Sequence, residues 1–330
     1  MPNHLIDALR DGSRENPDRI FAHLPDGRAL PFSAFFEGAE RIAAALQTRG
    51  LAPGDRVAAQ TAKSMEALQL YVGTIIAGGV YLPLNTGYTA AELTHFLTDA
   101  APTIVVCDPS AAEEIRALTK ADVLTLDAAG TGTLSEAAAE ETGQVTPVDR
   151  GESDLAAILY TSGTTGKPKG AMLSHGNLAS NSKTLADLWR FTSDDILIHA
   201  LPVFHTHGLF VATNVALMSG ASILFHPGFD AAAVLKDMPR ATALMGVPTF
   251  YTRLLHMDGL AEAARNMRLF VSGSAPLLAE THDRWAEVTG HRILERYGMT
   301  ETNMNTSNPY DGERRAGTVG FPLPGVDLRL

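Results

Sequence analysis

Apolar and polar positions alternate in two different rhythms along the first half of the chain. From Ser33, the stretch FEGAERIAAALQTR repeats its apolar residues at helical spacing, and Gly50 follows where a left-handed residue closes a helix. RVAAQT then reads as a short buried strand, SMEALQLYVGTIIAGG as a helix, and YLPLN as another strand. Thr89, with Glu92 three residues on, forms a capping box that opens TAAELTHFLTDA as a helix. The β-branched runs TIVVCD and VLTLD predict two further strands, with EEIRAL as a helix between them. Alternation of this kind predicts an α/β fold built on mostly parallel sheets with helices on their faces.

Residues 129–153 are small, polar and acidic, and read as a surface connection. Beyond them the strand pattern resumes in LAAILYTS, ILIHALP, SILFHP, ATALMGVP, MRLFVSGSAP and HRILERYG. The expectation is therefore two α/β lobes, roughly 1–150 and 151–315. Residues 316–330, AGTVGFPLPGVDLRL, carry Gly/Pro turns and no helical pattern, as at the beginning of a β-rich third subdomain.

Composition narrows the partners. The 330 residues hold 26 Lys and Arg against 37 Asp and Glu, a formal net charge of −11. Nucleic acid is disfavoured, because phosphate-backbone binding needs clustered cations. An anionic substrate would need a local cationic pocket. The one cysteine, Cys107, excludes a disulfide framework and sits in an apolar run that suits a buried thiol. The N-terminus lacks an apolar segment of signal-peptide length. The two stretches free of acidic and basic side chains, 67–91 and 196–229, are interrupted by Gly, Pro, Asn and His, unlike a spanning helix. A cytoplasmic protein without a membrane partner is the expectation.

The densest chemistry lies in YTSGTTGKPKG, residues 160–170. Glycines let the backbone approach a phosphate, and hydroxyls and exposed amides donate to its oxygens. The spacing is not that of a Walker-A loop. Only Thr164 and Thr165 separate Gly163 from Gly166, and Pro168 stands where that motif has Ser or Thr. The expectation is a strand–loop–strand phosphate clamp. Ser274 in SGSAP lacks the flanking glycines of a nucleophile elbow. His199, His205 and His207 have no cysteine or carboxylate near them in sequence, which argues against zinc.

YTSGTTGKPKG, followed in order by LPVFHTHGL at 201–209 and ERYGMTET at 295–302, resembles the acyl-adenylate-forming superfamily of acyl-CoA synthetases, luciferases and peptide-synthetase adenylation domains. AGGVYLPLNTGYT, GVPTFYTRLL and ERYGMTETNMNTSNPYDGERR look like its malonate-activating branch. The resemblance implies ATP-dependent ligation of an acid to coenzyme A through an acyl-adenylate, with Mg²⁺. It places Thr161, Ser162, Gly163, Thr164, Thr165, Gly166 and Lys167 around the β- and γ-phosphates. Glu301 falls at the Mg²⁺-ligand position, and Thr300 beside it would donate to the α-phosphate. Gly273, Ser274 and Ala275 would lie on one side of adenine and Tyr297 on the other, with Glu295 and Arg296 at its edge and Gly298 and Met299 continuing that segment. His205 and His207 would border the acyl pocket, His205 also serving catalysis. Arg253, on a helix after a buried strand, would grip the free carboxylate of malonate or methylmalonate, aided by Ser272. Two alternatives stay open: another short-chain or aromatic acyl-CoA ligase, and a nucleotide-binding module that does not turn over.

Family members also carry a small C-terminal domain with a catalytic lysine. No counterpart is found here, and the last lysine is Lys236. The chain is expected to be the larger part of an N-terminal domain and, alone, inactive or very slow.

Overall fold

The structure is a computed structural model and describes residues 3–142, 145–161 and 168–329. In chain order its strands are β1 (Ile20–His23), β2 (Ala29–Pro31), β3 (Arg56–Gln60), β4 (Val80–Pro83), β5 (Ile104–Cys107), β6 (Asp122–Thr125), β7 (Leu155–Thr161) and β8 (Lys169–Ser174). They continue as β9 (Ile196–His199), β10 (Ser222–Phe225), β11 (Ala243–Gly246), β12 (Leu269–Ser272), β13 (Leu294–Met299), β14 (Asn303–Ser307) and β15 (Phe321–Pro322). The chain divides into two compact units. One comprises Met1–Leu9, Phe32–Ala179 and Val203–His205, the other Arg10–Pro31, Ser180–Pro202 and Thr206–Leu330.

The first unit holds a six-stranded sheet in the order β6-β5-β3-β4-β7-β8, parallel except for β8, which runs antiparallel to β7. Its helix Met65–Ile76 starts where Ser64 Oγ accepts from Ala67 N at 3.0 Å, and 11 of its 12 residues are buried. A helix that is apolar all round belongs in a core. Gly73 allows the helix Phe32–Thr48 to lie against it, because a Cβ there would stand 2.7 Å from the Ala39 carbonyl. On the Ala90–Ala100 helix the Thr89–Glu92 capping box forms as the sequence predicts. That helix packs Leu93, Phe96 and Leu97 onto Leu82, Leu84, Val105 and Cys107. Cys107 is fully buried, and burial pushes its thiol up to about 11.

The second unit holds a nine-stranded sheet, β15-β14-β13-β12-β11-β9-β10-β1-β2. Its six central strands are parallel, and β2, β14 and β15 are antiparallel additions at the edges. Trp285, fully buried, stands edge-on to Tyr251 and Phe270 at 5.0 and 4.9 Å and fixes one helical layer to the sheet.

The two sheets of mostly parallel strands are the expected architecture, but their limits differ from a division at residue 150. β7 and β8 complete the first sheet, since β7 pairs with β4, while β1 and β2 belong to the second. Within 316–330, β15 extends the nine-stranded sheet beside β14. Among the described residues, no helix is long and apolar enough to cross a membrane.

Candidate active site

In sheets of this kind ligands meet the carboxyl ends of the parallel strands. In the first unit, β7 and β8 pair up to Thr161 and Lys169 and form the stem of the expected phosphate clamp. Tyr160 Oη donates to Asp99 at 2.6 Å, and His95 Nε2 lies 3.1 Å from the Pro168 carbonyl. The Ala90–Ala100 helix therefore braces both arms of the stem. Ser162, Gly163, Thr164, Thr165, Gly166 and Lys167 lie outside the described residues. His205 is exposed, its ring 4.5 Å from that of Phe204.

In the second unit, β12 ends at Ser272, 1% exposed, and β13 runs beside it with Ser272 opposite Glu295. The next residue, Arg296, is 4% exposed. Its Nε and Nη2 are buried and find no hydrogen-bond partner among the described residues. Desolvation pulls the guanidinium down to about 10, with neighbouring Tyr251 acting the other way. Gly273 makes this placement possible, because any Cβ there would overlap the guanidinium group. His207 is buried beside it, and its Nδ1 lies 3.3 Å from Ser274 Oγ. Burial, then Arg296 and then His199, holds His207 well below the usual imidazole range, so the ring is neutral. His207 Nε2, Ser272 Oγ and Thr206 Oγ1 are likewise buried with no partner among the described residues.

Ser274 takes a left-handed conformation, φ 69°, and Ser274 and Ala275 are exposed just after Gly273. Tyr297 is half-exposed, with its Oη 3.7 Å from Met299 Sδ. Glu295 is buried and accepts from Gly317 N at 3.3 Å, and burial raises its carboxyl above the usual range.

Thr300 and Glu301 stand in the three-residue connection from β13 to β14, with Glu301 exposed. One exposed carboxylate beside a hydroxyl fits Mg²⁺, which keeps much of its water and takes phosphate oxygens for the rest. Among the described residues, no group of three His, Cys, Asp or Glu could hold a metal alone.

Arg253 follows a buried strand, as expected. It lies on the helix Pro248–Leu254 but is exposed, with its guanidinium 5.0 Å from the ring centre of Phe229. Arg296, which the resemblance places at the edge of adenine, is a buried cation of this unit. A cleft of about 640 Å³ at the carboxyl ends of β1 and β10, lined by His23, His226, Phe229 and Arg240 among others, contains none of the expected site residues.

The carboxyl edge of the nine-stranded sheet thus offers a buried cation, a neutral imidazole and an exposed acidic turn. The chain belongs to the AMP-binding enzyme family, which matches residues 9–330. It is 35% identical over 316 residues to the malonate–CoA ligase of Arabidopsis thaliana, covering 85% of this chain and 50% of that protein. It is 37% identical over 279 residues to the mitochondrial malonate–CoA ligase of Mus musculus, covering 77% and 47%. Among solved structures, ATP-bound MatB from Rhodopseudomonas palustris is 58% identical with a TM-score of 0.95, over 98% of this chain and 65% of that one. The chain thus spans about half the length of these curated relatives.

Proposed function

We propose that the chain is the nucleotide- and acid-binding part of an ATP-dependent acid–CoA ligase whose acid is a short dicarboxylate, malonate or methylmalonate. The observation that carries this reading is Arg296, a buried guanidinium with two unpartnered nitrogens next to neutral His207. A guanidinium edge with two open donors suits a bidentate carboxylate. An uncharged acid would leave the cation buried and unpaired, which costs several kcal/mol. The names of the malonate–CoA ligases among its relatives support the same substrate.

In this reading the loop Thr161–Lys167 takes the β- and γ-phosphates. Thr300 donates to the α-phosphate, and Glu301 holds a Mg²⁺ ion that supplies charge neutralisation. Adenine rests between Gly273–Ala275 and Tyr297. Arg296 holds the distal carboxylate, with Ser272 and His207 beside it, which leaves the proximal carboxylate to attack the α-phosphorus. That oxygen–phosphorus bond forms as pyrophosphate leaves, and the thiol of coenzyme A then displaces AMP to give the thioester. Arg253, being exposed, has the smaller share in choosing the acid. Malonate-dependent exchange of pyrophosphate into ATP tests the reading. Malonate should outperform butyrate by about 100-fold in kcat/KM, the scale expected when a buried charge is left without its partner. Equal use of the two acids would overturn the dicarboxylate assignment.

A further inference from the structure

Thr300 and Glu301 sit on a turn whose shape is set by other residues, and we propose that Asn303 and Asn181 are positioning residues for them. β13 and β14 pair as Gly298 with Met304 and Met299 with Asn303, so the two groups lie on a connection with no slack. The chain enters β14 through a left-handed residue directly after the connection. Asn303 supplies it, with φ 55°, and asparagine is among the few side chains that accept this region. The side-chain oxygen does not hold the turn, because Asn303 Oδ1 is buried and receives no donor among the described residues. What matters at this position is therefore the backbone conformation. Gly298 is required opposite, since a Cβ there would overlap the Asn303 carbonyl oxygen.

Asn181, on the helix His175–Leu188, grips the strand just after the turn. Its Nδ2 donates to the Met304 carbonyl at 2.8 Å, and Met304 N donates to its Oδ1 at 3.2 Å. An amide that meets both backbone groups of one residue replaces a neighbouring strand. Asn305 Nδ2 donates to Thr302 Oγ1 at 2.8 Å and ties the end of the connection. The backbone around Glu301 is thus fixed while its carboxylate remains exposed.

This inference rests on the proposed roles of Thr300 and Glu301. Its test is the gain in ATP affinity that Mg²⁺ confers on the 330-residue chain, measured by calorimetry with and without Mg²⁺ and with melting curves alongside. Glu301→Gln should abolish the gain. Asn303→Gly, free to adopt the left-handed region, should keep it within about twofold. Asn303→Val and Asn181→Ala should cut it about fivefold or more and, through displaced Thr300, lower ATP affinity without Mg²⁺ by a smaller factor. The Asn181 variant decides the matter if the valine variant does not fold. Positioning is overturned if folded Asn303→Val or Asn181→Ala keeps the gain, or if Asn303→Gly loses it as fully as valine does. No gain in the unaltered chain, or a gain that survives Glu301→Gln, would remove the metal role of Glu301 and this proposal together.

Discussion

The carboxyl edges of the two sheets are built to opposite rules. In the first unit, polar groups at the edge satisfy one another. Gln60 Nε2 donates to the Asn85 carbonyl at 3.1 Å, Asp108 accepts from Ser110 N at 2.9 Å, and Tyr160 Oη donates to Asp99. In the second unit, Ser272, His207, Thr206 and Arg296 are buried at the edge with atoms left unmatched among the described residues. Each such group costs about 1–3 kcal/mol, more when charged. A fold keeps that cost where a ligand offsets it. In the proposed reading, the first edge stabilises and carries the phosphate clamp, and the second recognises the acid.

The largest effect should come from removing the most costly unmatched group. Arg296→Met keeps the length and removes the charge, so the preference for malonate over butyrate, about 100-fold, should be lost. The same change should raise stability, because an apolar side chain of similar volume in place of a buried charge is often stabilising by about 1–4 kcal/mol. Thermal melting and paired kinetics on one sample check both halves. A variant that loses malonate and also melts lower would mean that Arg296 holds the fold, and the contrast between the edges would collapse.

A mid-sized effect sharpens the contrast from the other side. The first unit has its own unmatched buried group, His175 Nε2, but on a helix rather than at the strand ends. His175 is fully buried, and desolvation pulls it down to about 4 from 6.5. Above pH 6.5 it is neutral in both folded and unfolded chains and favours neither. Between pH 6.5 and 4 the unfolded chain binds the proton and the folded chain does not, so stability is lost as pH falls. The loss should reach about 3 kcal/mol at pH 4. Urea midpoints across that window should flatten in His175→Asn, whereas an unchanged slope would assign the acid sensitivity elsewhere.

How far the sequence reveals these edges depends on whether the signal is local. β3 to β6 and their helices are legible because β-branched runs, the Thr89–Glu92 box and closing glycines lie within a few residues of one another. β1 and β2 are not, since they are only four and three residues long. β1 becomes a strand by pairing with distant β10, where Ser222 Oγ donates to the Ile20 carbonyl at 2.6 Å. The stretch HGLFVAT, whose first residues belong to the motif LPVFHTHGL, forms a buried π-helix, His207–Thr213. The burial of Arg296 is equally silent. Polar Glu295 and Tyr297 flank it, and the space it fills is left by Gly273, just past the end of β12. An arginine among apolar neighbours, as at Arg253, is the more visible signal, but at that position the helix turns the side chain to solvent.

The smallest expected effect falls on the satisfied edge. Tyr160 packs on Phe96 with ring centres 4.4 Å apart, and its hydroxyl reaches Asp99 from a partly exposed position. Tyr160→Phe keeps the ring contact and removes one hydrogen bond, a change worth about 0.5–1.5 kcal/mol. Asp99 is exposed, so water can take the place of the lost donor, which sets the effect at the low end of that range. The acid preference should not move, because nothing at this stem distinguishes one acid from another. KM for ATP is the quantity to watch, since the stem carries the residues expected around the phosphates. A small drop in melting temperature with an unchanged ratio of malonate to butyrate turnover would place Tyr160 with the stabilising edge. A shift in that ratio comparable to the one from Arg296→Met would show that recognition is shared by both sheets, and the division drawn between them would have to be abandoned.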